Sequence, residues 1–253
     1  MNINLLDLVS FAWFFLTWIG YSIFARLAAR RRNSLSSVLY RFRKEWVEKL
    51  STSGMSEVDA ELLASLEKQV SFFASTSLLI LASLVTVLST ASEVFMNLSA
   101  LSFVGGVSVE MAQAKLLLLI VVFTYAFFTF TWSMRQYGFC FILFGSSFHT
   151  VRYYQNPTDF RAVTAQRNFD AVAKVLDRAA HSYNYGLRAY YFALAALGWF
   201  INPWVFMSAC AGIVFVLYRR EFESSTLKAL VTSRMALVHV AADTVASDRP
   251  AAQ

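Results

Sequence analysis

The sequence predicts an all-α, polytopic membrane helix bundle of about five spans, and three observations carry that expectation. The chain is 57% hydrophobic and only 15% charged, with a mean hydropathy of +0.51. Soluble domains carry nearer a quarter charged residues. Several apolar runs are long enough to cross the roughly 30 Å hydrocarbon core of a bilayer. Threaded as five spans, the chain places all of its 22 Lys and Arg residues except Lys115 on one side. Lys and Arg accumulate in cytoplasmic loops. The expected organisation is one membrane domain over residues 1–246, N-terminus outside and C-terminus cytoplasmic, in a bacterial inner (plasma) membrane. A flexible tail follows over 247–253.

The first span covers 5–27. It is not a cleavable signal by pattern, because Asp7 lies early in it and the basic run "RLAARRR" follows rather than precedes the apolar stretch. A cytoplasmic helical region is expected over 34–68. In "SLSSVLYRFRKEWVEKL", Leu35, Val38, Leu39, Phe42, Trp46 and Leu50 share one helical face. That face lies in the membrane interface or packs on the protein's own bundle. Ser56 and Asp59 form a capping box that opens a helix running into the second span, 70–91. The segment from Ser92 to Ala114 is mildly apolar and reads as an outer connection with a short helical or re-entrant piece.

The third span, 116–134, ends at Arg135, and its helix should continue. The apolar run Tyr137–Phe148 would then lie below the hydrocarbon and need covering. The breaker "QNPTD" precedes a cytoplasmic helix over 158–184, with Phe160, Val163, Val172, Leu176 and Ala179 as its apolar stripe. The last apolar block is interrupted at Asn202-Pro203, where a helix loses a donor and strains its preceding turn. It is one kinked helix or a hairpin. Arg188 before it and Arg219 and Arg220 after it favour the hairpin, with spans at 185–201 and 203–219, because all three then lie on one side.

Catalytic chemistry is missing from the pattern. Cys140 and Cys210 sit inside apolar runs, the three histidines are isolated in sequence, and no phosphate loop or nucleophile motif occurs. The expectation is therefore no enzyme, no metal and no cofactor. The basic balance follows topology and points to anionic lipid headgroups rather than nucleic acid. Two groups stand out. Arg135, Trp132, Gln136 and Arg188 are candidates for an anion or lipid-headgroup site, or for the mouth of a pore; ordinary snorkelling of Arg135 to the interface competes with both. Thr76, Ser83, Thr86 and Thr90 fall on one face of the second span, as a packing seam or a pore lining.

The blocks "FAWFFLTWIGYSIFA", "FFASTSLLILASL", "FTWSMRQYGFCFILFGS", "GLRAYYFALAALGWF" and "VLYRREFES" resemble an uncharacterised bacterial and plant membrane-protein family, domain of unknown function 599. The resemblance runs from about Leu5 to Ser224, nearly the whole chain. It implies several spans and a basic cytoplasmic side, and it transfers no catalytic residue. The functional expectation is a non-enzymatic oligomeric scaffold or accessory subunit, with itself or other membrane proteins as partners. The alternative is a homo-oligomeric anion-conducting channel.

Overall fold

The computed structural model describes residues 5–29, 32, 34–91, 109–151 and 160–235. Among the described residues all regular structure is helical. The order is α1 (Leu5–Ala28), α2 (Leu35–Ser53), α3 (Glu57–Ser89), α4 (Val109–Val151), α5 (Phe160–Leu197), a 3-10 turn (Gly198–Phe200) and α6 (Pro203–Phe222). A further helical stretch covers 225–235. Three helices, Leu5–Ala28, Glu57–Ser89 and Val109–Ser146, are long and apolar enough to cross a membrane. The segment 92–108 and the tail 247–253 lie outside the described residues, as do the side chains of Phe160 and Val163.

The spine is the antiparallel pair α4–α5. Ser133 Oγ donates to the Ala179 carbonyl at 2.7 Å, and further along, Phe123 meets Tyr190 edge to face at 5.1 Å. α3 lies along α4. α1 pairs with α6, and α2 crosses α5. α4 is 43 residues long, about 65 Å at 1.5 Å per residue, roughly twice what a bilayer core requires. The apolar run after Arg135 is covered along one side: Tyr137, Cys140 and Phe144 are buried, whereas Phe139 and Ile142 remain exposed.

Local chemistry sets the breaks. Ser34 and Ser37 cap the start of α2 reciprocally, and the helix ends at Gly54, whose φ of +81° suits glycine. The region 34–68 thus holds α2 and the start of α3, which opens at the Ser56 and Asp59 capping box. Val38 and Leu50 of α2 are buried, together with Val47, so its apolar face packs on the protein's own bundle. The expected boundary between a helix at 158–184 and a span at 185–201 is absent. Nothing in "YNYGLR" interrupts hydrogen bonding, and α5 runs through.

The Asn202-Pro203 break makes a hairpin. Asn202 is extended and its Oδ1 accepts from Trp204 N, while Pro203 occupies the first helical position. α6 then folds back until Arg220 Nη1 donates to Tyr191 Oη at 3.0 Å. Neither arm is among the three helices long and apolar enough to cross by itself, because the apolar run of α6 stops at Arg219. Lys115, the lone basic residue at the turn end, clamps this hairpin. Its Nζ donates to the Trp199 carbonyl at 2.8 Å; Trp199 Nε1 donates to Asp7 Oδ1 at 2.8 Å, and the Trp199 ring stacks on Phe206 at 5.0 Å. An ammonium on the last carbonyls of a helix also complements its dipole.

A second clamp joins α2 to α3. Asp59 Oδ2 accepts from Ser56 Oγ at 2.6 Å, and Asp59 Oδ1 accepts from Trp46 Nε1 at 2.8 Å. These bonds, Ser56's first, hold the Asp59 carboxyl below the usual carboxylate range. A depressed carboxyl stabilises above its unfolded pKa and loses that contribution as pH falls through the folded value. Asp59→Ala should cost about 1 kcal/mol, the usual value of a helix cap. The check is faster amide exchange over residues 56–60, corrected for intrinsic rates, with wild type approaching the variant in acid.

Candidate functional site

The end of the bundle opposite the hairpin turn gathers side chains from four helices, with arginines from three of them, around a cavity of about 120 Å³. α5 presents His181, Asn184, Arg188 and Tyr191, spaced three or four apart and so on one face. α1 contributes Tyr21, α2 contributes Ser36 and Arg43, and α6 contributes Arg220 and Glu221.

The charges are unevenly paired. Arg43 Nη1 bonds Asp177 Oδ1 at 2.9 Å, and the other Asp177 oxygen is 3.4 Å from His181 Nδ1. Glu221 Oε1 accepts from the Ser36 amide at 3.1 Å. Arg188 has no carboxylate partner among the described residues. Its guanidinium lies over the rings of Tyr21, at 5.3 Å, and Tyr185, at 5.6 Å. Among the described residues Arg220 bonds the Tyr191 hydroxyl and no carboxylate. Tyr21 is 5% exposed, and its hydroxyl is buried without a hydrogen-bond partner among the described residues. Two guanidinium groups without carboxylate partners among the described residues, and a buried hydroxyl with no hydrogen-bond partner among them, are donors of the kind that suit a small anion.

Tyr21 also walls a second space. Between α1 and α6 runs an apolar groove of about 500 Å³, lined by Leu16, Gly20, Phe24, Ala211, Val214 and Phe215 among others. A Cβ built on Gly20 meets nothing within 4 Å, so the groove is open there.

The structure separates the residues grouped by the sequence. Arg135 is exposed, and Trp132, 50% exposed, shares its outward face of α4 with Phe128 and Phe139. Gln136 points the other way, buried, where its Oε1 accepts from Ser182 Oγ at 3.3 Å. Arg188 lies at the cavity, about 9 Å further along α5 than Ser182 at 1.5 Å per residue. Arg135 and Arg188 thus do not share a site within one chain. Thr76, Ser83, Thr86 and Thr90 do share a face of α3. Their hydroxyls donate to the Phe72, Leu79, Ala82 and Thr86 carbonyls of the same helix. That face turns outward, with Thr76 half-buried and the others exposed.

Tyr21, Arg43, His181 and Arg220 escape the sequence reading. The crowding of Tyr and Arg in "YNYGLRAYY" and "VLYRREF" is visible there, but it fits interfacial flanks equally well. Among the described residues no three His, Cys, Asp or Glu side chains gather closely enough to hold a metal ion.

No curated protein and no solved structure matches the chain. The family described as "Protein of unknown function, DUF599" matches residues 9–226, which include every residue named around the cavity and the groove, and the chain belongs to that family.

Proposed function

We propose that the protein is a non-enzymatic integral membrane protein acting as an oligomeric scaffold or accessory subunit, and that it assembles through α3. One observation supports this: a seam on α3 with spacings of three and four runs from Leu62 and Ser65 through Gln69, Phe72, Thr76, Leu79 and Ser83 to Thr86 and Thr90. All of these side chains are exposed except Thr76, which is half-buried. A 3.5-residue repeat keeps one seam against a partner helix. In the apolar half, small hydroxyl residues allow close backbone approach. Their hydroxyls already bond their own helix, so packing orphans none of them. The same face on two copies would make a closed two-fold pair. The orientation that goes with this places the basic end at the cytoplasmic face of a bacterial plasma membrane.

Cysteine scanning tests it. Cys140 and Cys210 are buried and should stay silent. Leu79→Cys and Ser83→Cys should give a disulfide-linked dimer in native membranes under a permeable oxidant, whereas Ile142→Cys on α4 should not. An adduct of mixed size at the α3 positions would identify an accessory subunit on another membrane protein. Monomer alone at both α3 positions would overturn assembly through this helix. The anion-channel reading has less support, since a mouth combining Arg135 and Arg188 would have to be built between copies.

A further inference from the structure

The polar cavity and the apolar groove meet at Tyr21, and their chemistries are those of the two ends of one amphiphile. We infer that together they form a binding site for an anionic phospholipid, with its phosphate in the cavity and an acyl chain in the groove. The inference does not depend on assembly through α3.

The phosphate end is argued from donors. Arg188 lacks a carboxylate among the described residues, and Arg220 makes one neutral bond, to Tyr191. Arg presents N–H groups in a fork that matches phosphate oxygens two at a time. The Tyr21 hydroxyl, a further donor in the wall of the cavity, has no hydrogen-bond partner among the described residues. Burying a hydroxyl unpaired costs free energy, so a group that accepts from it is favoured over an empty space. The cavity volume of about 120 Å³ corresponds to roughly four waters at liquid density, enough for a tetrahedral oxyanion but not for a large polar headgroup. Of the charged groups around the site, Asp177 pairs with Arg43, and Glu221, which accepts from the Ser36 amide, faces both Arg188 and Arg220, so the formal charge there is net positive.

The chain end is argued from position. α1 is one of the helices able to cross the bilayer, and α6 lies along it. The groove between them therefore opens sideways to lipid. Gly20 and Ala211 keep it clear by having little or no side chain. A free phosphate ion would use the cavity and gain nothing from the groove; a phospholipid gains from both.

The full chain, delipidated in a mild detergent, is titrated with dioleoyl phosphatidylglycerol, dioleoyl phosphatidylcholine or inorganic phosphate. Bound lipid is counted by native mass spectrometry, and stability is followed by thermal unfolding. Phosphatidylglycerol should be retained at one per chain at least tenfold more tightly than phosphatidylcholine and should raise Tm, while inorganic phosphate should do neither. Arg188→Gln with Arg220→Gln should lower retention at least tenfold. Gly20→Leu fills the groove where the structure has open space and adds a better helix former. The protein should therefore stay folded while lipid retention falls. Equal retention of both lipids, or no change in the double Arg variant, would overturn the site. Stabilisation by inorganic phosphate as large as by lipid, unaffected by Gly20→Leu, would show that the cavity takes free phosphate and would overturn the lipid assignment. Both readouts are taken on single chains, so a failed α3 cross-link and a failed lipid site are told apart.

Discussion

Gly186→Ala should destabilise the protein, although helix propensity alone predicts the opposite. Alanine is worth about 1 kcal/mol more than glycine in a helix interior. At this position, however, a Cβ would lie 2.5 Å from Phe130 Cε1, 2.6 Å from Cζ and 2.8 Å from Cδ1. Phe130 is fully buried and has little room to yield. It stacks on Phe73 at 5.4 Å and packs against Tyr190 at 5.6 Å and Tyr183 at 5.8 Å. Relief requires moving α5 away from α4, and these two helices form the spine. Overpacking of this kind costs about 1–3 kcal/mol, enough to reverse the propensity gain. Thermal unfolding in detergent should show a lower Tm for Gly186→Ala, with recovery when Phe130→Leu is added. A Tm at or above wild type would mean that the two helices are not held this closely.

The sign of that effect illustrates what was legible in the sequence and what was not. Breaks written into single residues could be read: Pro203 marks the interruption, though choosing a hairpin over a kinked helix took the arginines on either side, and Ser56 with Asp59 specifies the start of α3. Gly54 was less obvious, because a glycine ends a helix only when the backbone there takes positive φ, and one residue type does not reveal that. Gly186 in "YNYGLR" does not interrupt α5, and its missing side chain serves packing against Phe130.

Faces were harder than breaks. Gln136 follows Arg135 directly and reads as its companion, yet neighbours on a helix point about 100° apart at 3.6 residues per turn. One consequently faces Ser182 while the other faces outward. The hydroxyls of α3 follow helical spacing, but the upper half of that helix is apolar all round, so its pattern could not say which face meets the chain. The cavity was the least legible feature. It needs Tyr21, Arg43, Arg188 and Arg220 from four helices, and only the register of the α5–α6 hairpin brings Tyr191 to Arg220. The tertiary structure decides which of the arginines at that end lack carboxylate partners among the described residues.

Phe14→Ala should be among the most damaging single truncations in α1. Phe14 is fully buried where three helices meet: it is stacked with Phe206 of α6 at 5.7 Å, edge to face with Phe192 of α5 at 5.8 Å, and 5.4 Å from Trp18 of its own helix. Within a bilayer, apolar helices gain little from leaving lipid for one another, and their association rests on packing. The transfer part of a core truncation therefore shrinks, while the cavity part remains. Of the about 3–5 kcal/mol typical for a buried Phe→Ala, roughly 2–3 kcal/mol should persist. Leu8→Ala, at an exposed position of the same helix, should cost close to nothing. The remaining ties of α1 to α6 include the bond from Trp13 Nε1 to the Met207 carbonyl at 3.2 Å and looser ring contacts of Phe24 with Tyr218 and Phe222 at 6.2 and 6.3 Å, each weaker than the Phe14 joint. Loosening α1 moves Tyr21, the wall shared by cavity and groove. Phe14→Ala should thus lower phosphatidylglycerol retention as well as Tm, although it touches neither space. Equal Tm for Phe14→Ala and Leu8→Ala in nanodiscs would show that the aromatic joint does not hold α1 in place. Lowered Tm with lipid retention unchanged would show that the lipid site is organised by α5 and α6 without α1.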